Sequence, residues 1–254
     1  MSNSDQSQRS DRERVFHNSL IEKGSFGTAG KEWWQTPGGV VRFGRRIEML
    51  RHLTANHPGE PLILVLGCGD GEWINEISRF AKVVGIDVAD QMIALLRTRL
   101  RFPDRAQVLV ADAHSLDFKD MQFDFCFANS TLHHLDLSTA LPEIWRVLKP
   151  GGKLVASEPN LSNPQVRWMF QFDFNRRRYA LTADEEAFTM RKIKSLLAVN
   201  FSSVRVSYFD FWHPAFGYRE TDSFLYRFTV LLERIPLLRR VSGSLWLEAV
   251  KSHQ

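Results

Sequence analysis

The stretch LILVLGCGDGEW, residues 62–73, constrains the fold of this chain more than any other segment. A run of apolar residues leads directly into three glycines spaced two apart, Gly67, Gly69 and Gly71, and a helical pattern follows. This order is typical of a buried strand that turns sharply into a helix. Because glycine has no Cβ, a turn of this composition lets the backbone approach a ligand closely.

The spacing and charge of the turn distinguish between the ligands that such turns bind. The dinucleotide fingerprint is G-x-G-x-x-G, whereas this turn reads G-x-G-x-G, and no Gly-Lys-Ser/Thr of a phosphate-binding loop follows it. Asp70 and Glu72 would place two carboxylates where a pyrophosphate would lie, and their repulsion disfavours phosphates. A cationic ligand fits better, and S-adenosylmethionine carries a sulfonium and an ammonium group.

Strand and helix patterns alternate along the chain from this turn onward. Apolar strand-like runs occur at 62–66, 82–87, 106–112, 123–129 and 153–158, and helical patterns at 72–80, 89–100 and 137–148. Two further β-rich runs, 204–211 and 245–250, flank a helical insertion at 223–238. Alternation with short connections predicts an α/β fold with a doubly wound, mostly parallel sheet.

The composition fits one globular domain in a reducing compartment. The chain has 254 residues, of which 44% are hydrophobic, and its net charge of +4 is too weak to indicate nucleic-acid binding. Its two cysteines, Cys68 and Cys126, indicate neither a disulfide framework nor a metal cluster, so no metal is expected. The polar N-terminus lacks the apolar core of a signal peptide, and no apolar run is long enough to span a membrane. We therefore expect a cytoplasmic protein.

The pattern predicts three parts of the chain. Residues 1–14 are expected to form a disordered tail, residues 15–58 a helical cap and residues 59–254 the α/β domain. Insertions at 160–183 and 212–243 are expected to cover the site.

Asp87 ends the second predicted strand, twenty positions after Gly67. A carboxylate at this position can accept hydrogen bonds from both hydroxyls of a ribose. Alternatively, the same side chain caps the helix that begins near Ala89.

Five motifs in order make the chain resemble the class I S-adenosylmethionine-dependent methyltransferases over residues 40–250. They are VLGCGDG (65–71), GID (85–87), VADA (110–113), FDFCFANSTLHHL (123–135) and LKPGGKLVASEP (148–159). The resemblance implies a seven-stranded, Rossmann-like sheet whose last strand, here LWLEAV, is antiparallel and lies beside the fifth. We also expect helices from the N-terminal and C-terminal parts of the chain to cover this sheet.

The resemblance also implies which residues hold the cofactor. The turn formed by Gly67, Cys68, Gly69, Asp70 and Gly71 would bind its methionine and ribose end. Asp87 matches the acid that binds the ribose, and Val88 matches the residue that stacks on adenine. Asp112 and Ala113 match the pair that reaches the adenine amino group and ring. Asn129 matches a position whose backbone holds the methionine ammonium.

Two of these positions allow another interpretation. The family commonly carries an acid two residues before the first glycine, where this chain has Val65. Either Asp70 supplies that charge, or the ammonium relies on backbone carbonyls and water. Asp112, in turn, could be an ordinary carboxylate in a surface turn.

Candidate groups for activating an acceptor follow the fourth and sixth predicted strands. A hydroxyl acceptor benefits from a general base with a pKa near neutral, which indicates histidine. His134 or His133, in NSTLHHLD, would lie beside the transferred methyl group, and His213, in FDFWHP, is a second candidate. The alternative is that these histidines only pack or bond to the backbone.

Four further residues are candidates for the acceptor pocket. Glu158 and Asn160 end the fifth strand at the same edge and could hold a hydroxyl or amine, although Asn160 could equally shape the following turn. Trp33 and Trp34 would cover the site and stack on the acceptor, or would pack an N-terminal helix on the sheet.

We expect a small-molecule acceptor, and a monomer or homodimer. The chain has no Asn/Asp-Pro-Pro-Tyr/Phe motif after the fourth strand and no recognisable RNA-binding module, which disfavours an RNA or protein acceptor. The insertion FLYRFTVLLERIPLLRRV (224–241) mixes apolar residues with arginines. It would either lie on a membrane and meet a lipid-linked acceptor or, more simply, form a lid or dimer contact. A non-catalytic cofactor-binding protein is a further alternative, because fold does not establish activity.

Overall fold

The computed structural model describes residues 3–22, 36–172, 185, 187–211 and 224–253. Its seven strands are β1 (Leu62–Leu66), β2 (Lys82–Asp87), β3 (Ala106–Val110), β4 (Phe123–Asn129), β5 (Leu148–Pro159), β6 (Ser203–Phe209) and β7 (Ser244–Val250). They form one sheet in the order β3-β2-β1-β4-β5-β7-β6, in which β7 is antiparallel to both of its neighbours. The predicted α/β, doubly wound and mostly parallel sheet is confirmed, including the antiparallel last strand beside the fifth.

Helices pack on this sheet and at its edge. In the described residues they are α1 (Asn3–Glu22), α2 (Pro37–Thr54), α3 (Glu72–Ile77), α4 (Asp90–Arg97), α5 (Leu137–Val147), α6 (Pro164–Gln171), α7 (Met190–Leu197) and α8 (Phe224–Arg234). Short 3₁₀ turns cover Leu132–His134 and Leu238–Val241. None of the described helices combines the length and the apolarity needed to cross a lipid bilayer.

Alternate residues of the central strands pack into apolar layers on opposite faces of the sheet. On β1, Ile63 and Val65 belong to one layer, and Leu64 and Leu66 belong to the other. Because helices cover both faces, the parallel strands read as continuous apolar runs in the sequence. A shift of one residue in register would exchange the two layers, so the packing specifies the register strongly.

The register brings the carboxyl ends of the central strands to one level. Leu66, the last residue of β1, pairs with Ile86 of β2 and with Ala128 of β4. The residues that follow, Asp87 and Asn129, therefore lie at the same edge of the sheet as the glycine turn. In open parallel sheets this edge is where ligands bind.

Helix α2, within the predicted helical cap, begins at Pro37. The Thr36 hydroxyl accepts a hydrogen bond from the N–H of Gly39, and Pro37 occupies the first helical position. Both features favour a helix start. The residues Pro37 to Gly39 thus form the first turn of α2.

The first 22 residues differ from the expectation of a disordered tail, because residues 3–22 form α1. The helix has no apolar face that a periodicity argument could detect, and polar contacts hold it at the sheet edge. Ser10 donates a hydrogen bond of 2.6 Å to Asp112, and Asn18 donates one of 2.8 Å to Asp90. The prediction was wrong because these partners are about 70 or more residues away in sequence.

The predicted covers are described only in part. Helix α6 lies in the first insertion, and α8 with the following 3₁₀ turn lies in the second. Trp33, Trp34 and His213 lie outside the described residues.

A buried ionic network joins α2 to the end of β6. The carboxylate of Asp210 lies 3.1 Å from Arg42 Nε, 3.0 Å from Arg45 Nη1 and 2.5 Å from Arg46 Nη1. Burial raises the pKa of Asp210, but the three guanidinium groups lower it by more, so its pKa lies below the ordinary value. Burial also lowers the pKa of Arg46, to about 10, which leaves this side chain charged at neutral pH.

The same arginines reach three further elements. Arg46 donates hydrogen bonds of 2.9 Å to Ser157 of β5 and 3.0 Å to Ser244 of β7. Arg45 forms an ion pair of 2.7 Å with Glu233 of α8. One face of α2 therefore fastens β5, β7 and the C-terminal helix together.

Replacing Asp210 with Asn should lower the free energy of unfolding by about 3–5 kcal/mol, because Arg46 would remain buried without its counter-charge. Urea denaturation of the full chain measures this difference. Glu48→Ala removes an ion pair with Arg51 that is exposed, and as a control it should leave the stability nearly unchanged. Equal effects of the two substitutions would contradict the role of Asp210.

The effect of Asp210→Asn should depend on pH in a defined direction. The pKa of Asp210 is lower in the folded chain than in the unfolded chain. Its contribution is therefore complete above the unfolded pKa of about 3.9 and is lost as the pH falls through the folded pKa. The difference in unfolding free energy should narrow only below about pH 4. If the difference in unfolding free energy narrowed between neutral pH and pH 5, roughly one unit above the pKa in the unfolded chain, this assignment would be contradicted.

Candidate functional site

A cavity lies at the carboxyl edge of the sheet, closed on one side by α1. It is lined by all of the predicted cofactor residues except Gly71, namely Gly67, Cys68, Gly69, Asp70, Asp87, Val88, Asp112, Ala113 and Asn129. The lining also includes Ser10, Glu13 and His17 of α1, and His134 after β4. The tertiary fold thus brings together the N-terminal helix, the glycine turn and the loop after β4.

The second and third glycines of the turn have different roles. Gly69 has φ +51°, and a Cβ added there would meet no protein atom within 4 Å, so its backbone is open to a ligand. Gly71 has φ +86°, and a Cβ there would collide with the side chain of Leu96 on α4. Gly71 is therefore required for packing at the start of α3, which explains why it does not line the cavity.

Asp87 holds the backbone of the glycine turn and of Ala89, the residue before α4, and remains available to a ligand. Its Oδ2 accepts a hydrogen bond of 3.0 Å from the N–H of Gly69, and its Oδ1 accepts one of 3.0 Å from the N–H of Ala89. Each carboxylate oxygen has a further lone pair. Asp87 can therefore hold the glycine turn and the start of α4 while it accepts hydrogen bonds from a ribose diol.

Asp112 is held by two residues that the sequence interpretation missed. Its Oδ2 accepts a hydrogen bond of 2.6 Å from Ser10, and its Oδ1 lies 2.6 Å from His114 Nδ1. Burial raises the pKa of Asp112, but the hydrogen bonds from His114 and Ser10 lower it by more, to about 2. The carboxylate is therefore an ionised acceptor at neutral pH and is not an ordinary surface group.

The hydrogen bonds of His114 define its tautomer. The backbone N–H of Asp136 donates to His114 Nε2 at 3.0 Å, so this nitrogen carries a lone pair. A neutral ring then carries its hydrogen on Nδ1, from which it donates to Asp112. His114 therefore orients the carboxylate expected at the adenine end, a role that its sequence position alone does not reveal.

Asn129 offers a hydrogen-bond acceptor in the lining of the cavity. Its side-chain Oδ1 is buried and accepts no hydrogen bond from any residue that the structure describes. A buried carbonyl oxygen of this kind favours a cationic donor such as an ammonium group. Val65, at the position where the family commonly carries an acid, is buried within β1, and Asp70 lines the cavity.

His133 and His134 differ in exposure and in partners. His133 is buried, with Nδ1 at 2.6 Å from Glu158 and Nε2 at 3.7 Å from Glu185. Burial lowers the pKa of His133, but Glu158, Glu185 and Glu13 outweigh this effect, so its pKa is raised. Both ring nitrogens of His133 therefore face carboxylates inside the protein.

His134 lines the cavity, and one of its ring nitrogens lies near two carboxylates. Its Nδ1 lies 3.2 Å from Glu13 of α1 and 3.6 Å from Glu185. Because carboxylates only accept hydrogen bonds, this arrangement favours a hydrogen on Nδ1 and a lone pair on Nε2. Burial raises the pKa of Glu13, but His134 and His17 lower it by more, so Glu13 is ionised.

The two candidate acceptor residues at the end of β5 have structural partners instead. Glu158 Oε1 accepts hydrogen bonds from the N–H groups of Thr131 and Leu132, at 3.0 and 2.8 Å. With His133 on its other oxygen, Glu158 is fully buried and is not part of the cavity lining. The expectation that it holds the acceptor is corrected.

Asn160 shapes the turn after β5, which was the alternative interpretation of this residue. Its Nδ2 donates to the carbonyl oxygens of Arg240 and Ser242, and its Oδ1 accepts from the N–H of Ser162. The side chain is fully buried by these contacts. It therefore fastens the C-terminal cover and does not face an acceptor.

Glu185, from a distant segment of the chain, places a carboxylate next to His133 and His134. Ligand atoms of His133, His134 and Glu185 lie within 4.8 Å of one another, close enough for a metal ion to bind. The sequence, which predicts no metal, gives no sign of this arrangement because Glu185 follows the pair by about 50 residues.

The comparison with known families agrees with the geometry of the cavity. Residues 64–156 match the family model described as a methyltransferase domain. Gly69, Asp87 and Asn129, which the resemblance assigns to the cofactor, all line the cavity. Residues 64–156 therefore belong to a methyltransferase domain, and the fold is shared with a solved S-adenosylmethionine-dependent methyltransferase.

Particular relatives share part or all of this domain. The demethylmenaquinone methyltransferase of Lactiplantibacillus plantarum is 34% identical over 146 residues, which are 52% of this chain and 60% of that protein. The O-methyltransferase cnsE of Penicillium expansum is 35% identical over 102 residues, 38% of this chain and 37% of that protein. The chain thus matches less than two thirds of the length of these relatives.

A solved structure from Thermotoga maritima shows the likeness over the whole domain. It is an S-adenosylmethionine-dependent methyltransferase described as a possible histamine N-methyltransferase. The match has a TM-score of 0.65 at 18% identity and covers 94% of this chain and 99% of that chain. At this identity the likeness establishes the fold.

Asp87→Ala should weaken the binding of S-adenosylhomocysteine, the demethylated product, by about 1–3 kcal/mol, because charge-assisted hydrogen bonds to the ribose are lost. Isothermal titration calorimetry measures the dissociation constant. Asp104→Ala is the control, since Asp104 is an exposed carboxylate before β3 and does not line the cavity. An unchanged dissociation constant for Asp87→Ala would exclude the ribose role.

His114→Ala should weaken the same binding by about 1 kcal/mol, because Asp112 loses its oriented donor. In His114→Asn, the side-chain amide nitrogen can take the place of Nδ1 and should restore most of the affinity. Calorimetry with S-adenosylhomocysteine, together with the melting temperature of each variant, separates binding from folding. If the Asn variant binds no better than the Ala variant, the orienting role is wrong.

Proposed function

We propose that this protein transfers the methyl group of S-adenosylmethionine to a hydroxyl oxygen of a small-molecule acceptor. The observation that carries the proposal is the position of His134, which lines the donor cavity and directs Nδ1 at two carboxylates. The cofactor supplies the electrophilic methyl group. The residues of the chain orient the two reactants and accept one proton.

The reaction is an in-line displacement whose atoms balance without a further reactant. The acceptor oxygen forms a bond to the methyl carbon as the carbon–sulfur bond breaks, and the electron pair of that bond remains on sulfur. The products are a methyl ether and S-adenosylhomocysteine, and the hydroxyl proton moves to His134. Holding the oxygen about 3 Å from the methyl carbon, opposite the sulfur, supplies most of the acceleration.

His134 is better placed than His133 to accept the proton. With a hydrogen on Nδ1, near Glu13 and Glu185, the Nε2 lone pair of His134 would accept the proton of a hydroxyl. The imidazolium that forms would be stabilised by both carboxylates. His133 instead has a carboxylate near each ring nitrogen and acts as a structural support.

The polarity of the cavity supports a cationic donor. Its lining contains five carboxylate side chains, those of Glu13, Asp70, Glu72, Asp87 and Asp112. These charges attract the sulfonium and ammonium groups of S-adenosylmethionine and repel phosphate-rich cofactors. The electrostatic argument drawn from the glycine turn therefore extends to the whole cavity.

A small acceptor is supported by the names of two relatives, a demethylmenaquinone methyltransferase and an O-methyltransferase. An RNA or protein acceptor and a non-catalytic role remain the competing functions. The described structure adds no observation that favours either of them. We place the enzyme in the cytoplasm, as expected from the sequence.

His134→Ala should lower turnover by about 10²–10⁴-fold, the usual contribution of a general base. Release of S-adenosylhomocysteine is measured with a panel of hydroxyl-bearing small molecules and labelled S-adenosylmethionine. The affinity for S-adenosylhomocysteine should be nearly unchanged. His52→Ala, at a mostly exposed histidine on α2, is the control and should retain activity.

Three results would contradict the proposal. Transfer of label only to RNA or protein would assign another class of acceptor. Unchanged turnover in His134→Ala would exclude His134 as the general base. Activity that is lost with a chelator and restored by a divalent cation would assign the cluster of His133, His134 and Glu185 to a metal ion instead.

A further inference from the structure

Helix α8 turns Thr229 and Glu233 toward the protein. Thr229 is fully buried, and Glu233 accepts hydrogen bonds from Arg45 and from the N–H of Asp210, at 2.7 and 2.8 Å. These contacts fix which side of the helix faces inward. They belong to the ionic network that holds α2 and β6 together.

The outward side of the same helix is apolar. Phe228, Leu231 and Ile235 are exposed at helical spacing, with Leu231 54% accessible. Leu237 and Leu238 continue this surface in the 3₁₀ turn, and Leu237 is 73% accessible. An ordinary surface helix shows the reverse arrangement, with its apolar stripe on the core. A contiguous exposed apolar surface marks an interaction site.

Arginines surround these apolar residues. We define the apolar–arginine face as Phe228, Leu231, Ile235, Leu237 and Leu238 together with Arg227, Arg234, Arg239 and Arg240. All nine side chains are exposed. The acidic residue of α8, Glu233, points inward to Arg45, so the face is positively charged.

We propose that the apolar–arginine face docks this protein on the surface of an anionic lipid bilayer. The apolar side chains would enter the boundary between headgroups and acyl chains, and the arginines would contact anionic headgroups. Charge decides between this occupant and a second copy of the chain. A symmetric dimer through this face would bring two sets of arginines together, which is unfavourable.

The apolar–arginine face is fastened to the edge of the sheet that carries the site. Asn163 at the start of α6 donates a hydrogen bond of 2.6 Å to Val241, and Asn160 donates one of 3.0 Å to Arg240. Helix α6 itself exposes Trp168 and Phe172. Docking would therefore hold the end of β5 close to the bilayer, where an acceptor dissolved in lipid or linked to it could be reached.

The test is co-sedimentation of the full chain with vesicles at about 0.1 M salt. Vesicles of phosphatidylcholine that are one third phosphatidylglycerol should bind the protein, and pure phosphatidylcholine should bind it much more weakly. Arg239→Gln and Arg240→Gln should each weaken binding about fivefold. Leu231→Ser with Leu237→Ser should weaken it at least as much as one arginine substitution.

Val199→Ser is the matched control, because Val199 is 80% exposed and precedes β6, at the opposite end of that strand from α8. It should bind vesicles like the unchanged chain, and all variants should keep the same melting temperature and affinity for S-adenosylhomocysteine. The proposal is overturned if the unchanged chain binds neither kind of vesicle. It is also overturned if binding depends neither on the charge of the lipid nor on the leucine substitutions. A dimer in solution that the leucine substitutions dissociate would also overturn it. None of these outcomes depends on methyl transfer, so the docking proposal and the proposed function can fail separately.

Discussion

The buried carboxylate of Glu158 is the interaction on which the site depends. Its two oxygens accept hydrogen bonds from the N–H groups of Thr131 and Leu132 and from His133 Nδ1. A fully buried carboxylate that lost these donors would carry a large desolvation cost, so the loop after β4 is held in one conformation. That loop presents His134 to the cavity. The end of β5 thus supports the loop that carries His134, the base in the proposed function.

Helix α1 completes the cavity, although the sheet forms without it. Helix α1 carries Ser10 and Glu13 one turn apart, and they contact Asp112 and His134, respectively. One polar helix therefore reaches both ends of the cavity. Polar contacts of this kind stabilise less than apolar burial, which suits a wall that must admit and release a cofactor.

The fold could be predicted well wherever apolar burial organises the chain. Strands buried on both faces leave continuous apolar runs, and the alternation with helices defines a doubly wound sheet. Prediction failed for α1, whose polar contacts leave no periodic pattern. It also could not decide how α8 is oriented, because a helix with one apolar and one charged side reads the same whichever side faces the protein. The ion pair of Glu233 with Arg45 settles that orientation.

The residues of the site fall into the same two groups, those placed by local sequence and those placed by contacts between distant segments. The sequence by itself determined the glycine turn and Asp87, because a strand, a tight turn and a helix start are local and place these groups without help from elsewhere. Only the tertiary structure decided that Glu158 faces inward and that Glu13 and Glu185 meet His134. Those contacts join segments far apart in the chain, and a side chain's partner across such distances depends on packing and register rather than on its neighbours in sequence.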